Sequence, residues 1–211
     1  MPIITAIKQQ VPSARNKGGA SRVNVYLDYK FGFGIDLDTF VKLKLKVEQE
    51  LTDAEVEEAK NLADFQKILG KLLNFATLRP RSEKEIKDWF YRKKTPDSYQ
   101  EGLISKLRKF ELLDDEKFAR WWIDQRLAYR PKSRRVLESE LRFKGIDREV
   151  VRDVLSQVSV DEATIARDVL SKRLYRWENL PEREKKKKMT EFLARKGYSW
   201  EVIKKVIGKI D

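Results

Sequence analysis

The sequence predicts a mainly α-helical protein in which a small N-terminal α+β module precedes tandem three-helix repeats in an elongated, curved array. Periodicity is the first support for this class. Apolar residues alternate in the manner of strands only within the first 51 residues, and they follow helical spacing from residue 52 onward. The second support is repetition. Short motifs recur at intervals of 51 and 52 residues, which is typical of stacked helical units that bury their apolar faces on one another.

The N-terminal module, residues 1–51, is predicted to contain a β-hairpin. Apolar residues occupy every second position at residues 23–27 and again at residues 31–35. This period of two on both sides of a short break predicts two antiparallel strands joined by a turn at Tyr29-Lys30. Residues 3–8 are a candidate third strand.

A loop and a short helix complete this module. Residues 12–19, PSARNKGG, have the composition of a loop. Asp36 is predicted to cap a short helix that buries Leu37, Phe40 and Val41. No function is visible in these residues, and a docking or stabilising appendage is the simplest interpretation.

The remainder of the chain is predicted to consist of helices. Residues 52–78 form a connecting helix, because Thr52 and Glu55 fit the capping-box pattern that opens a helix. Three helical repeats are predicted beyond it, at residues 79–129, 130–177 and 178–211.

Two pairs of motifs define these repeats. Residues 79–82, RPRS, recur as RPKS at residues 130–133, and residues 143–146, FKGI, recur as RKGY at residues 195–198. Within each unit the motifs place a first helix before Arg-Pro, a middle helix between Ser and Lys-Gly, and a third helix beyond the Gly.

Caps and apolar stripes predict individual helices in the central and last units. The central middle helix begins at Ser133, ends before Gly145 and buries Leu137 and Leu141. Another helix, capped by Asp161, carries an apolar stripe on one face. The residues of that stripe are Ile165, Ala166, Val169, Leu170, Leu174 and Trp177.

Charge is distributed unevenly between the two parts of the chain. Residues 1–70 contain ten basic and ten acidic residues, whereas residues 71–211 contain 36 and 24 and carry the whole net charge of +12. This asymmetry favours an acidic partner for the helical part. Direct contact with nucleic acid and a merely solvated, lysine-rich surface explain it equally well.

Several classes of site are excluded by the absence of Cys and His. Neither a disulfide nor a Cys/His zinc site is possible, and there is no Cys nucleophile or His general base. The acidic cluster at residues 114–116 fits the start of a helix better than a metal site. No phosphate-binding P-loop motif occurs. We therefore expect a protein that is not an enzyme and that has no cofactor and no metal.

The predicted location is the cytoplasm. The first ten residues lack the apolar core of a signal peptide. No uncharged apolar stretch approaches the ~20 residues of a membrane-spanning helix, so no contact with a membrane is expected.

Basic residues near the motifs are the candidate residues for binding a partner or DNA. Arg134, Arg135 and Arg142 are predicted on the outer face of the central middle helix, with Lys144 beside them. Local ion pairing explains these residues as well as phosphate binding does. The full set of candidates is Arg79, Arg81, Arg130, Lys132, Arg134, Arg135, Arg142, Lys144, Lys187, Lys188, Arg195 and Lys196.

Two further clusters admit both a structural and a functional interpretation. The run of lysines at residues 185–188 spans a full helical turn, so its members cannot share one face, and a solvated helix start is the simpler explanation. Trp121 and Trp122 have the pattern of a helix that is packed on two sides. Core packing is therefore favoured for them over stacking on unpaired bases.

Taken together, these segments resemble the RecX family of recombination regulators from about residue 62 to the end of the chain. The stretch that carries most of the resemblance is LDDEKFAR at residues 113–120. Further support comes from RPRSEKEI at residues 79–86, ELRFKGI at 140–146, FLARKGY at 192–198, and the leader residues VYLD at 25–28 and FGFGI at 31–35.

The resemblance implies a non-enzymatic regulator that acts in DNA repair, homologous recombination and the SOS response. Proteins of this family bind the RecA recombinase filament on single-stranded DNA and restrain its ATP hydrolysis and strand exchange. We therefore expect RecA as the partner, weak and salt-dependent binding of single-stranded DNA, and a monomeric protein. The alternative is a non-sequence-specific nucleic-acid-binding protein that acts without RecA.

Overall fold

The computed structural model describes residues 1–10, 22–129, 131–158 and 161–208. The predicted loop at residues 12–19 and the candidate residue Arg130 lie outside these ranges. The described residues contain three strands, β1 (Ile4–Gln9), β2 (Arg22–Leu27) and β3 (Lys30–Asp36). They also contain ten helices: α1 (Leu37–Leu43), α2 (Asp53–Thr77), α3 (Glu83–Lys93), α4 (Asp97–Lys109), α5 (Asp115–Tyr129), α6 (Arg134–Phe143), α7 (Arg148–Gln157), α8 (Glu162–Leu174), α9 (Glu182–Arg195) and α10 (Trp200–Ile207). The predicted mainly α class with N-terminal strands is confirmed.

The three strands form one antiparallel sheet in the order β1-β2-β3. Leu27 pairs with Lys30, so the hairpin turn is Asp28-Tyr29 and the predicted turn at Tyr29-Lys30 is wrong by one residue. Both turn residues have positive φ, 47° and 66°. Such a two-residue turn matches the twist of the flanking strands, and Asp tolerates the left-handed conformation better than most residues do.

Helix α1 begins where predicted but turns a different face to the sheet. The Asp36 carboxylate accepts a hydrogen bond of 2.9 Å from the N–H of Thr39, which confirms the cap. Phe40 packs against the core, but Leu37 and Val41 are exposed, contrary to the prediction. A helix of two turns offers only one narrow face to the sheet, and Thr39 occupies it together with Phe40.

The structure divides into two compact units, the first comprising Met1–Leu78 and Thr95–Leu103. Its core joins the inner face of the sheet to the first half of α2, where Val56, Ala59 and Ala63 are buried. The predicted capping box is present, because the Thr52 N–H donates to Glu55 Oε2 at 2.7 Å and the Glu55 N–H donates to the Thr52 hydroxyl at 3.2 Å.

The second unit comprises Arg79–Lys94 and Ile104–Asp211. One apolar cluster holds α5, α6 and α7 together, and another holds α8, α9 and α10. Three-helix grouping is therefore present. The predicted repeat boundaries at residues 130 and 178 stay a prediction. The two clusters favour three-helix units that begin one helix earlier, at α5 and α8.

Glycines mark where consecutive middle helices meet. Gly145 and Gly197, which follow α6 and α9, have φ of 84° and 83°. A Cβ on Gly145 would lie 2.7 Å from Lys84 Cβ, and one on Gly197 would lie 2.7 Å from Val136 Cγ2. The recurring Lys-Gly motif therefore ends a middle helix. Because its glycine has no Cβ, the start of the preceding middle helix, α3 or α6, can lie in close contact with it.

Candidate partner-binding surface

Three of the candidate basic residues converge on one carboxylate. Glu85 Oε2 lies 2.8 Å from Arg79 Nη1 and 3.9 Å from Arg81 Nη1, and Glu85 Oε1 lies 2.7 Å from Lys144 Nζ. The side chains of Glu85 and Arg81 are only 12% and 10% exposed. We call these four residues the Glu85 cluster. One carboxylate faces three cations, so the cluster keeps a net positive charge. Its contacts nevertheless tie all four side chains to the fold, so this part of the predicted basic surface contributes to structure.

Electrostatics in the Glu85 cluster favour the ionised carboxylate. Burial by itself raises the pKa of Glu85, but hydrogen bonds from Arg79 and Lys144 outweigh it, so that the pKa lies below its ordinary value. Burial and the neighbouring Arg79 lower the pKa of Arg81. The Glu85 carboxylate acts in the opposite direction, but the pKa remains below its ordinary value. Lys144 is predicted to lie beside the outer face of α6. Its side chain instead links the end of α6 to α3, because Nζ pairs with Glu85.

Other candidates on α6 do reach solvent. The side chains of Arg134, Arg135 and Arg142 are exposed, and none has a carboxylate within 4.0 Å among the residues that the structure describes. Lys132, just before α6, is half-buried. Among the described residues, the outer face of α6 therefore presents three arginines that have no ion pair.

Candidates on α9 are exposed as well. Lys187, Lys188, Arg195 and Lys196 all reach solvent, with Arg195 4.0 Å from Glu191. The lysines of the run at 185–188 do not share one face, as predicted. On the inner side of the same helix, Met189, Phe192 and Leu193 are buried.

A groove of about 630 Å³ lies beside the exposed arginines of α6. Its floor contains the Trp122 ring, with the Arg126 guanidinium carbon 4.3 Å and Lys144 Nζ 4.9 Å from the ring centroid. Glu140 accepts hydrogen bonds from Trp122 Nε1 at 2.9 Å and from Arg126 Nε at 2.6 Å. We call this groove the Trp122 groove. Its lining residues are Trp122, Arg126, Arg135, Val136, Ser139, Glu140, Phe143, Lys144 and Gly197.

The tryptophan pair is both core and surface. Trp121 and Trp122 pack against the α5–α7 cluster, and Trp122 stacks on Phe118 with the ring centroids 5.8 Å apart, which confirms core packing. The sequence interpretation missed that Trp122 also lines a groove, and it did not single out Arg126 or Phe143. The four-residue spacing of Trp122 and Arg126 on one helix was the available signal.

Two of the acidic residues at 114–116 cap helix starts, Asp114 that of α5 and Asp115 that of α3, while Glu116 pairs with Arg120 at 2.6 Å. Asp114 Oδ1 accepts the N–H of Lys117 at 2.9 Å, and Asp115 Oδ1 accepts the N–H of Glu83 at 2.9 Å. Within the described ranges, no group of three or more acidic residues is arranged to hold a metal ion. Across the same ranges, none of the helices combines the length and the apolar character needed to cross a membrane.

The fold and this surface define a helical-repeat protein with an N-terminal sheet and exposed arginines along a middle helix. Three domain models of one family match the chain. The Regulatory protein RecX N-terminal domain matches residues 2–52, and the second and third three-helix domains of RecX match residues 114–155 and 161–207.

Relatives and solved structures agree with these matches. The regulatory protein RecX of Bacillus licheniformis is 33% identical over all of this chain and 78% of its own length, and that of Bacillus subtilis is 32% identical with the same coverage. A crystal structure of regulatory protein RecX superposes with a TM-score of 0.77 at 26% identity, covering 98% of both chains. RecX from Lactobacillus salivarius has a TM-score of 0.63 at 25% identity, over 70% of this chain and 97% of its own. The chain belongs to the RecX family of regulatory proteins, which confirms the resemblance found in the sequence.

Proposed function

We propose that this protein inhibits the RecA recombinase by binding the RecA–single-stranded DNA filament and restraining its ATPase and strand-exchange activities. Membership of the RecX family of regulatory proteins is the observation that carries the proposal. Under this proposal the protein is a cytoplasmic, monomeric, non-enzymatic factor in recombinational DNA repair and the SOS response.

The distribution of unpaired charge supports contact with a polyanionic assembly. Arg134, Arg135 and Arg142 are exposed on α6, and Lys187 and Lys188 are exposed on α9 of the following three-helix group. Basic residues on successive repeats attract a partner that carries many negative charges, and they speed its association.

The rate of ATP hydrolysis by the cognate RecA on single-stranded DNA tests the proposal. We expect the rate to fall when the protein is added at or below the concentration of RecA. Adding the protein to the DNA before or after RecA separates an effect on the filament from competition for bare DNA. A rate that stays constant up to a tenfold excess of the protein contradicts the proposal.

Direct, non-sequence-specific binding of nucleic acid without RecA is the second candidate function, favoured by the net charge of +12. Neutralising phosphates releases counterions, so under the first function we expect only modest affinity for free DNA, which falls steeply with salt. Fluorescence anisotropy of a labelled single-stranded oligonucleotide at low and physiological salt measures this. Strong binding at physiological salt without RecA favours this second function over the first.

A further inference from the structure

The Trp122 groove combines an apolar floor with a fixed rim. Phe143, the last residue of α6, is 76% exposed and stands at this rim. Lys84 Nζ donates a 2.8 Å hydrogen bond to the Phe143 carbonyl and lies 4.7 Å from the centroid of its ring. The exposed ring is therefore held in place from α3, and a ligand that contacts it meets a preorganised surface.

The lining of the groove is net positive, although two of its three cations have a carboxylate beside them. Arg126 pairs with Glu140, with Arg126 Nε 2.6 Å from Glu140 Oε2, whereas Lys144 shares Glu85 with Arg79 and Arg81. Of the three cations that line the groove, Arg135 alone has no carboxylate within 4.0 Å in the described part of the chain. One free cation beside an apolar floor suits a ligand with one or a few carboxylates close to an apolar side chain.

The same details disfavour a nucleic-acid strand in this groove. Binding a strand requires a track of cations that are free to neutralise phosphates, together with aromatic faces that are free for bases. In the groove, Arg126 is held by Glu140 and Lys144 by Glu85, so among the described residues Arg135 is the one lining cation without a carboxylate within 4.0 Å, and one such cation does not form a track. Arg126 and Lys144 lie within 5 Å of the Trp122 ring centroid, so of the two aromatic rings that line the groove only that of Phe143 is largely exposed, and one ring does not provide a series of stacking faces.

We propose that the Trp122 groove binds an acidic peptide segment of a partner protein. An apolar side chain of the segment packs on the exposed ring of Phe143, and a neighbouring carboxylate pairs with Arg135. The volume of about 630 Å³ is within the range of pockets that bury ligands of drug size. This inference deepens the proposed function, because it assigns the groove to binding a protein segment rather than DNA. It rests on the proposed function for the identity of the partner.

The test measures three ligands against the same set of variants. The ligands are a labelled acidic eight-residue peptide with a central leucine and phenylalanine, a labelled single-stranded oligonucleotide, and the RecA filament. Phe143→Ala removes the exposed ring without changing charge, and Arg135→Ala removes the free cation. Tyr129→Ala is the matched control for an exposed aromatic ring outside the groove, and Arg148→Ala is the control for an exposed arginine.

We expect Phe143→Ala and Arg135→Ala to weaken peptide binding at least fivefold and to weaken filament binding as well. Phe143→Ala should leave oligonucleotide binding within twofold of wild type, and both controls should bind every ligand normally. A peptide with alanine in place of leucine and phenylalanine should bind more weakly to wild type and equally to Phe143→Ala. Unchanged thermal melts show that the variants are folded.

Three outcomes separate this inference from the proposed function. If Phe143→Ala weakens oligonucleotide binding but not peptide binding, the groove is a nucleic-acid site and the inference is overturned. If wild type does not bind the peptide, or if neither groove variant changes filament binding, the inference is also overturned while the proposed function stands. If the peptide binds as expected but the wild-type protein does not bind the RecA filament, the proposed function fails and the peptide site stands.

Discussion

The buried hydroxyl of Ser82 donates a hydrogen bond of 2.8 Å to the carbonyl oxygen of Lys144, 62 residues further along the chain. The same hydroxyl accepts the N–H of Glu85 at 3.2 Å and thereby caps α3. Ser133 repeats the arrangement with the carbonyl of Lys196 at 3.2 Å. A hydroxyl has one donor and two acceptor sites, so one side chain both starts a middle helix and binds the end of the next middle helix.

Replacing Ser82 with alanine should destabilise the protein by roughly 1–3 kcal/mol. The change removes a helix cap and leaves the part-buried Lys144 carbonyl without its partner. Ser133→Ala should cost less, because its hydrogen bonds of 3.2 and 3.4 Å are longer. Urea unfolding followed by circular dichroism measures both changes.

Ser171→Ala is the matched control for these serine variants. Ser171 is exposed, and its hydroxyl donates only to the Asp168 carbonyl within α8. We expect a change within about 0.5 kcal/mol for this variant. A Ser82→Ala protein as stable as Ser171→Ala would show that the contact between α3 and α6 does not depend on the hydroxyl.

Gly145→Ala should destabilise the protein, whereas Gly70→Ala should not. Alanine at φ of 84° costs roughly 1–2 kcal/mol, and its Cβ would also meet Lys84 Cβ at 2.7 Å. Gly70 lies inside α2 with open space at its Cβ position, so alanine there should stabilise by up to about 1 kcal/mol. Opposite signs in thermal melts are expected, and equal effects would contradict a close contact at Gly145.

Helix boundaries were predictable from the sequence because caps are local. Asp36, Thr52, Ser133 and Asp161 each bind N–H groups two or three residues away, so the residue types alone indicate the helix starts. The buried face of α1 was not predictable in this way. Which side of a two-turn helix is covered depends on how the sheet lies against it, and the sequence of the helix does not contain that information.

The functional surface was less predictable than the fold. Arg79 and Arg142 look alike in the sequence, yet one lies 2.8 Å from a carboxylate and the other is exposed. Lys144 reaches Glu85 across 59 residues of chain, and such a pairing is invisible in local patterns. Basic composition therefore indicated the region of the surface but did not separate cations that hold the fold together from cations that are free to bind a partner.

Glu85→Gln should destabilise the protein at neutral pH, and its effect should shrink in acid. The variant leaves Arg79, Arg81 and Lys144 without their shared carboxylate, which costs roughly 2 kcal/mol or more. The folded pKa of Glu85 lies below its ordinary 4.5, so its contribution is complete above about pH 4.5. That contribution is lost as the pH falls through the lower folded pKa, because the protonated carboxyl no longer favours the folded state.

Urea unfolding of wild type and Glu85→Gln at pH 7 and at several values below 4.5 checks this pH dependence. Glu149→Gln removes an exposed carboxylate that has no ion pair in the described residues and serves as the control. We expect the gap between wild type and Glu85→Gln to narrow in acid, and a gap independent of pH would contradict the assignment.

Reversing the charges of Arg134, Arg135 and Arg142 to glutamate should abolish most binding to the RecA filament without unfolding the protein. All three side chains are exposed and unpaired among the described residues, so the cost in stability should be about 0.5 kcal/mol each. Like charges facing a polyanion are strongly unfavourable, so co-sedimentation with the filament should fall about tenfold or more. Lys144 is left unchanged, because glutamate there would lie beside Glu85 and disrupt the Glu85 cluster.

Two further variants determine whether the position of the charges matters. Arg148, Arg152 and Arg167 are exposed on α7 and α8, so changing all three to glutamate makes the same change in net charge away from the outer face of α6. Leu141→Ala, at a fully buried position, should instead lower stability by about 2–5 kcal/mol and reduce binding only through unfolding. If both triple variants reduce co-sedimentation equally, the attraction follows from net charge alone. If the α6 variant melts normally and co-sediments like wild type, the arginines of α6 are only solvated, and the binding surface lies elsewhere on the protein.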